Sequence, residues 1–424
     1  MPPRALARPR LARALAGPRR LLTWKRATLY GLVLGGLYCV AWAFSLAGAQ
    51  PPLNGSGVPI GGDYIAAYTA GRLVLAGRAP ALYDHDVVMA TQQRLLDGRA
   101  PDFYDAFRNP PFFALLFAPL AVLDLLPSVL LWTVLSVDCL VAAVWLVLAE
   151  RPDLRPRWRG LAVLIFAFAP VYFGLIDGQN ATLSLLLYVL LYRALLHDQP
   201  ARAGLWAALG LFKPQLFVVF PLVFLLTRRW RALAVFVGVG GLLALVSLLL
   251  VGPDGLLGWL RSLLETEPGN ASRNAWRMHS LKGLTDGLLP SSPTLSLGAY
   301  AVLALPLLVA LVRAWWQAGH APPSPTLWAF SCLVAVLVDP HLVDYDLTVL
   351  VAAGLLVAGR LPGLRWLILL LYPLLLFRAQ LPLGESAVQL STLVLVAMTG
   401  LVWRNLRVRE PQPQVALAPA RVAC

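Results

Sequence analysis

The feature that most constrains this chain is a series of long apolar segments without a charged residue. Residues 27–49 and 232–251 each continue for about 20 residues without an acid or a base, which is enough for a helix to cross a bilayer. The 424-residue sequence is 59% hydrophobic and only 13% charged, against about 25% charged in soluble domains. The sequence therefore predicts an all-α, polytopic membrane helical bundle and excludes a chain of soluble domains.

The apolar segments predict about twelve transmembrane helices with two long outer loops. The predicted spans are 27–49, 126–149, 160–176, 180–197, 202–213, 215–227, 232–251, 298–313, 325–338, 345–359, 362–378 and 386–403. Residues 111–123 are apolar but short and are broken by Pro119, so we expect a partial or re-entrant span. We divide the chain into a basic cytoplasmic segment (1–26), a membrane-embedded domain (27–403) and a cytoplasmic tail (404–424).

The distribution of charge orients this layout. The chain has a net charge of +14, and residues 1–26 contain basic residues but no acid. The predicted cytoplasmic segments hold most of the basic residues and only four acids, Glu150, Asp153, Asp198 and Glu410. This asymmetry follows the positive-inside rule and explains the charge without nucleic acid as a partner. It predicts a multi-pass protein of the cell inner (plasma) membrane, with loops 50–110 and 252–297 on the non-cytoplasmic face.

Asp63 is the first candidate site residue. It follows a Gly-Gly pair and precedes a segment with helical spacing, in which Tyr64 and Tyr68 share one face. An aspartate at this position is typical of a helix N-cap, but a carboxylate at the mouth of a membrane bundle also suits a general base. The two interpretations are compatible.

Further polar residues fall between apolar segments near the same predicted face. Gln179 and Asn180 lie in a turn, and Lys213 precedes a proline. An ionisable residue at membrane depth indicates function and an anionic partner, although a lysine can also extend to lipid phosphates. His341 and Asp344 are candidates for phosphate or hydroxyl contact. Asp138, alone in an apolar helix, is expected to face the bundle interior.

No cofactor site is predicted. The four cysteines are far apart, and no phosphate-binding glycine loop or metal-ligand spacing is present. His341 and the neighbouring acids make a metal conceivable, but no repeated ligand spacing supports one, so we expect none.

In their order, these motifs resemble glycosyltransferase family 87, polytopic enzymes with a GT-C fold that use polyprenyl-phosphate sugars. The stretches that carry the resemblance are DYIAAY (63–68), GRAPALYD (77–84), RNPPFFALLFAPL (108–120), GQN (178–180), RAGLWAALGLFKPQ (202–215) and DYD (344–346). The resemblance covers roughly residues 28–400 and implies that Asp63 is the catalytic carboxylate.

The resemblance also implies the reaction and its partners. We expect a hexosyltransferase, mannosyltransferase-like and inverting, that uses a polyprenyl-phosphate sugar donor and a lipid or glycan acceptor of the cell envelope. From its charge and its position beside a helix-breaking proline, Lys213, together with His341, is expected to bind the donor phosphate. The expected substrate contacts are Tyr64, Tyr68, Gln179, Asn180 and Asp344.

Two other classes of function remain open from the sequence. A transporter or lipid flippase would also be polytopic, but such proteins often show paired halves and several deep ionisable residues, and no internal repeat is visible. A structural partner in an envelope complex would keep its role if Asp63 were neutralised, whereas an enzyme would not.

Overall fold

A computed structural model describes residues 23–100, 103–264, 275–361 and 363–407. The α-helices are α1 (Trp24–Leu46), α2 (Tyr64–Leu75), α3 (His85–Leu95), α4 (Ala114–Phe117), α5 (Leu125–Glu150), α6 (Trp158–Phe166), α7 (Ala169–Ile176), α8 (Ala181–Leu196), α9 (Pro200–Leu209), α10 (Pro214–Phe217), α11 (Val219–Leu226), α12 (Trp230–Leu264), α13 (Leu281–Leu288), α14 (Pro293–Ala318), α15 (Pro325–Val338), α16 (Leu350–Val357), α17 (Leu364–Leu376) and α18 (Leu390–Arg407). A two-stranded antiparallel hairpin, β1 (Gln380–Leu383) and β2 (Ser386–Gln389), separates the last two helices.

The helical class is confirmed, and part of the predicted span pattern is visible. Within the described residues, α1, α5, α12 and α14 are long and apolar enough to cross a membrane. A fifth span results if residues Pro152–Phe166 and α7, bent by 65°, are counted together. Other apolar helical segments have only 10–17 residues, namely Ala181–Leu196, Pro214–Leu226, Pro325–Val338, Leu364–Leu376 and Leu390–Leu406. They are shorter than the roughly 20 residues of a straight crossing. The prediction of twelve crossings stays a prediction.

The four long helices lie on the outside of the bundle. At most 22% of the residues in their apolar windows are buried, as expected for helices that contact lipid. The helix α15 is the centre of the bundle, because every residue from Thr326 to Leu337 is buried. It packs against α14, α16 and α18.

Breaks in the apolar segments occur where proline and glycine interrupt the helical hydrogen bonds. The predicted partial span over 111–123 forms two 3-10 turns around the single α-turn of α4. The helix α12 is interrupted at Gly252, whose φ of 71° is outside the helical range and which precedes Pro253. The predicted span over 232–251 ends at this break, and the helical segment that follows belongs to the predicted second outer loop.

The predicted first outer loop contains the two helices that its spacing indicated, α2 and α3. Tyr64 and Tyr68 lie on the buried face of α2, so its apolar stripe is part of the protein core.

The expected position of Asp138 is wrong. Its side chain lies near the middle of α5 but is exposed, while Trp132 and Ser136 are on the buried face of the same helix. A helix that is apolar on all sides gives no sequence signal for which face turns inward.

Candidate active site

Two glycine turns meet at the centre of the site. Gly62 has a φ of 54° and Gly178 a φ of 59°, a region that favours glycine. A Cβ on Gly62 would lie 2.8 Å from Cα of Asp177, and one on Gly178 would lie 2.5 Å from Cβ of Tyr64. The turn before Asp63 and the turn before Gln179 therefore pack backbone against backbone, which brings these two residues together.

The carboxylate of Asp63 is held by an amide rather than by a helix terminus. Asp63 occupies the N-cap position of α2, but its side chain makes no capping hydrogen bond. Gln179 Nε2 instead donates to Asp63 Oδ2 over 2.6 Å. Asp63 therefore occupies the predicted N-cap position without the predicted capping hydrogen bond, and its carboxylate is bonded to a residue of another element.

Burial gives Asp63 the character of a base. Desolvation raises the pKa of its carboxyl above the ordinary value, and the charge of Arg277 together with the hydrogen bond from Gln179 offsets part of this rise. A carboxylate with a raised pKa accepts a proton more readily than a solvated one.

A buried carboxylate organises two arginines beside Asp63. Asp344 is fully buried. It accepts a hydrogen bond from Arg378 Nε over 2.7 Å and lies 3.4 Å from Arg277 Nη2. The guanidinium of Arg378 also lies over the rings of Phe173 and Trp276, with Cζ 4.5 and 4.6 Å from their centroids. Arg378 is therefore fixed on several sides.

Arg277 is held more loosely than Arg378. Its Nη2 lies 3.5 Å from Asp177 Oδ2 as well as 3.4 Å from Asp344 Oδ1. Its Nε has no hydrogen-bond partner among the described residues. A guanidinium with long contacts and an unpaired N–H retains capacity to bind an added anion.

Lys213 is buried, so the alternative that it extends to lipid phosphates is wrong. Its ammonium group forms an ion pair with Asp346, and Nζ donates to Asn180 Oδ1 over 3.2 Å. Nζ also lies 4.9 Å from the ring centroid of Tyr345, and Arg277 Cζ lies 5.9 Å from the same centroid. The anionic partner expected from the sequence is thus Asp346, and Lys213 shares an aromatic neighbour with Arg277.

His341 lies at the edge of this group of charges. Its side chain is exposed, and its backbone N–H donates to Asp339 Oδ1 over 2.8 Å. Although the residue reaches solvent, the surrounding protein desolvates its imidazole. This desolvation and the positive charges of Arg108 and Lys213 lower the pKa of the imidazole, while Asp346 acts in the opposite direction. His341 is therefore a neutral hydrogen-bonding group at neutral pH, within electrostatic range of Lys213.

The structure brings some of the predicted residues together and not others. Hydrogen bonds join Gln179 to Asp63 and Lys213 to Asn180. Tyr64 and Tyr68 are 1% and 2% exposed, and their hydroxyl groups are bonded to Ser128 Oγ and to the Leu123 carbonyl. These two tyrosines lie beneath the site and do not join the polar group. The carboxylate of Asp344 forms ion pairs with Arg277 and Arg378.

The sequence interpretation missed a second carboxylate. Asp105 belongs to the predicted first outer loop, where Gln92 exchanges two hydrogen bonds with its backbone, 2.7 and 2.9 Å long. Its Oδ2 is buried without a partner among the described residues. Desolvation first, and then the negative charge of Asp63, raises the pKa of Asp105 well above its ordinary value. Nothing in the local sequence distinguishes Asp105 from an ordinary loop aspartate.

A comparison with protein-family models matches residues 107–343 to glycosyltransferase family 87. The match covers more than half of the chain. This protein belongs to glycosyltransferase family 87. The matched residues include Gln179, Lys213, Arg277 and His341, whereas Asp63 precedes them. No curated protein and no solved structure matches the chain.

Family membership decides between the classes of function that the sequence left open. A family 87 protein is a glycosyltransferase, and the transporter and assembly-partner alternatives are set aside. In the part of the chain that the structure describes, no group of three or more His, Cys, Asp or Glu side chains could hold a metal ion. The arrangement instead offers a desolvated carboxylate next to cationic and amide groups, which suits proton abstraction beside a bound anion.

Proposed function

We propose that this family 87 glycosyltransferase transfers a hexose, in the first instance mannose, from a polyprenyl-phosphate donor to a lipid or glycan acceptor of the cell envelope. The reaction takes place at the non-cytoplasmic face of the inner (plasma) membrane. The observation that carries the proposal is the position of Asp63, a desolvated carboxylate without a capping bond. It lies within electrostatic range of Arg277 and Lys213.

In this proposal Asp63 is the general base. It removes the proton from the acceptor hydroxyl while the acceptor oxygen forms a bond to the anomeric carbon of the donor sugar. The bond from that carbon to the phosphate oxygen breaks, and the lipid phosphate leaves with the electron pair. Because the leaving group is a stabilised anion, no general acid is required, and one displacement inverts the anomeric centre.

The role proposed for the cationic side chains is to bind the donor phosphate. Arg277 is the first candidate, because its Nε has no hydrogen-bond partner among the described residues and its ion pairs are long. Lys213 and His341 add a positive field and a hydrogen-bonding group at the edge of the same cluster. Charge on the leaving phosphate increases in the transition state, so these groups are expected to raise turnover as well as donor affinity.

The remaining polar groups have supporting roles in this proposal. Gln179 orients Asp63 through its 2.6 Å hydrogen bond, and Asn180 orients Lys213. Asp344 keeps Arg277 and Arg378 in place. A direct contact of Gln179, Asn180 or Asp344 with sugar hydroxyls stays a prediction, as does substrate contact by Tyr64 and Tyr68.

The test is transfer by purified protein. Wild type is incubated with polyprenyl-phosphate sugars labelled in the hexose, and separately with nucleotide sugars, in the presence of membrane lipid extract. Asp63→Asn should lower turnover about 10²–10⁴-fold, the usual contribution of a general base. Asp86→Asn, which neutralises an exposed carboxylate of the same loop, should retain activity.

Two results would contradict the proposal. Transfer from a nucleotide sugar but from no polyprenyl-phosphate sugar would exclude the proposed donor. Near-normal turnover by a folded Asp63→Asn protein would exclude Asp63 as the base.

A further inference from the structure

Asp138 is a carboxylate on the outward face of α5. At 1.5 Å rise per residue, Asp138 lies about 20 Å from Leu125 and about 18 Å from Glu150, the two ends of the helix. The helix α5 is one of those long and apolar enough to cross a membrane. Because the hydrocarbon core is about 30 Å thick, Asp138 lies near its midplane.

The surroundings of Asp138 are apolar and open. Leu131, Val134, Val141 and Trp145 follow the spacing of one helical face with Asp138, and they are 39%, 56%, 60% and 70% exposed. Asp138 is itself exposed. Within the described ranges, no salt bridge includes Asp138. We call these five residues the α5 outer stripe.

A carboxylate in this position requires a partner. Ionisable groups within membrane helices normally face the bundle interior or a water-filled cavity and pair with one another, because hydrocarbon does not solvate them. The hydrogen bonds of α5 to the candidate site are on its opposite, inner face. There Ser128 hydrogen-bonds to Tyr64, and Trp132 donates to the carbonyl of Gly178. The outer stripe is therefore free to contact another molecule without displacing those contacts.

We propose that the α5 outer stripe is the docking surface for a transmembrane helix of another protein that carries Lys or Arg near the middle of the membrane. Because the carboxylate of Asp138 is negative, a Lys or Arg side chain of the partner helix is its complementary group. The regular spacing of the stripe, three or four residues between members, is the pattern by which one helix packs along another.

Within the long helices that the structure describes, a second copy of this chain does not supply the required group. Each basic residue of these helices lies within the first or last two turns of its helix: Lys25 and Arg26 in α1, Arg231 and Arg261 in α12, and Arg313 in α14. None of these cations in the described long helices reaches the midplane. A symmetric contact through α5 would instead place two carboxylates opposite each other, which is unfavourable for like charges.

The test uses a synthetic partner in place of an unidentified one. The full chain, labelled with a donor fluorophore, is reconstituted in phosphatidylcholine vesicles. Transmembrane peptides of about 20 Leu and Ala residues, with either Arg or Leu at the centre, carry the acceptor fluorophore. The wild type should associate with the Arg peptide about five- to tenfold more tightly than with the Leu peptide, a typical gain from one polar contact between membrane helices.

Variants on the same helix separate the charge from general packing. Asp138→Leu should lose the preference for the Arg peptide, and its thermal unfolding in detergent should match that of the wild type, because the side chain is exposed. Asp124→Asn is the matched control: it removes an exposed carboxylate at the end of α5 that makes no capping bond, and it should keep the preference.

Several outcomes would overturn the proposal. The wild type could fail to distinguish the two peptides, or Asp138→Leu could keep the preference. Self-association that depends on Asp138 and is not displaced by the Arg peptide would identify a second copy as the occupant. Because the readout is binding in the membrane, the result is independent of the proposed sugar transfer.

Discussion

The basicity of Asp63 depends most strongly, after burial, on Arg277. The guanidinium lowers the pKa of the Asp63 carboxyl and so opposes the effect of desolvation. Arg277 is itself positioned by Asp344 and Asp177. In the proposed mechanism, protonation of Asp63 and binding of the donor phosphate are therefore linked through one side chain, Arg277.

Arg277→Gln should shift the pH profile in a defined direction. Loss of the positive charge raises the pKa of Asp63 further, so a larger fraction of the base is protonated at a given pH. The acid limb of kcat/KM should move to higher pH, and the KM for the donor should rise. Arg99→Gln, at a surface arginine paired with Asp97, is the control. An unchanged acid limb in folded Arg277→Gln would show that Arg277 does not act on the base.

Lys213 combines a structural and a proposed chemical role, which a double variant can separate. Lys213→Met leaves the buried Asp346 carboxylate without its cation, and breaking a buried pair typically costs about 3–5 kcal/mol. The thermal midpoint in detergent should fall. Lys213→Met combined with Asp346→Leu removes both charges and should recover most of the lost stability.

The activity of that double variant tests the chemical role. If Lys213 contributes to the field on the donor phosphate, turnover should stay low although the protein is stable again, and Lys213→Arg should keep part of it, since the charge is retained. Wild-type turnover by the stable double variant would assign Lys213 a structural role alone.

At the scale of elements, the site depends on the contact between the turn before α2 and the turn before α8. Gly178→Ala should disrupt this contact, because the added Cβ meets Tyr64 Cβ at 2.5 Å and the Gly61 carbonyl oxygen at 2.9 Å, and because φ is 59°. The turns must separate, and the hydrogen bond from Gln179 to Asp63 is lost or lengthened.

We expect Gly178→Ala to lower kcat at least tenfold while the protein still inserts into the membrane; steady-state kinetics and detergent gel filtration measure the two effects. Gly57→Ala is a matched control, since this glycine also has a positive φ, 77°, but open space around its Cβ. An equal loss of kcat in the two variants would mean that backbone strain alone lowers activity. It would contradict a role for the close approach of the two turns.

At the scale of the whole molecule, the predicted topology places the candidate site on the non-cytoplasmic face. In a background without Cys39, Cys139, Cys332 and Cys424, single cysteines at Ser56 and Pro340 should react with an impermeant thiol reagent in intact cells. A cysteine at His320 should react only after the membrane is opened. A cysteine at Ser272, in the predicted second outer loop, should also react in intact cells; this residue lies outside the described ranges. The reverse labelling pattern would place the donor on the cytoplasmic side.

The number of crossings was less predictable than the helical class. Hydropathy identifies apolar segments, but the 10–17-residue helices do not show whether they cross alone, in bent pairs or only in part. That depends on their tilt and on their neighbours, which packing determines.

The sequence by itself determined the chemical class of this protein. Backbone groups in lipid must be satisfied within a helix or a closed barrel, so apolar segments of this length indicate a membrane bundle. Composition, charge asymmetry and ordered motifs carried the prediction to glycosyltransferase family 87 and to Asp63 and Lys213. All of these signals are local in the chain.

Only the tertiary structure decided which side chains contact each candidate site residue. Gln179 holds Asp63 across 116 positions of sequence, and Arg277 meets Asp344 across 67. Asp105 joins the electrostatic environment of Asp63 without a motif, and Asp138 faces outward, opposite to expectation. The physical reason is the same in each case: in a bundle whose helices are apolar on all sides, sequence does not specify how each helix is rotated, and packing between distant segments does.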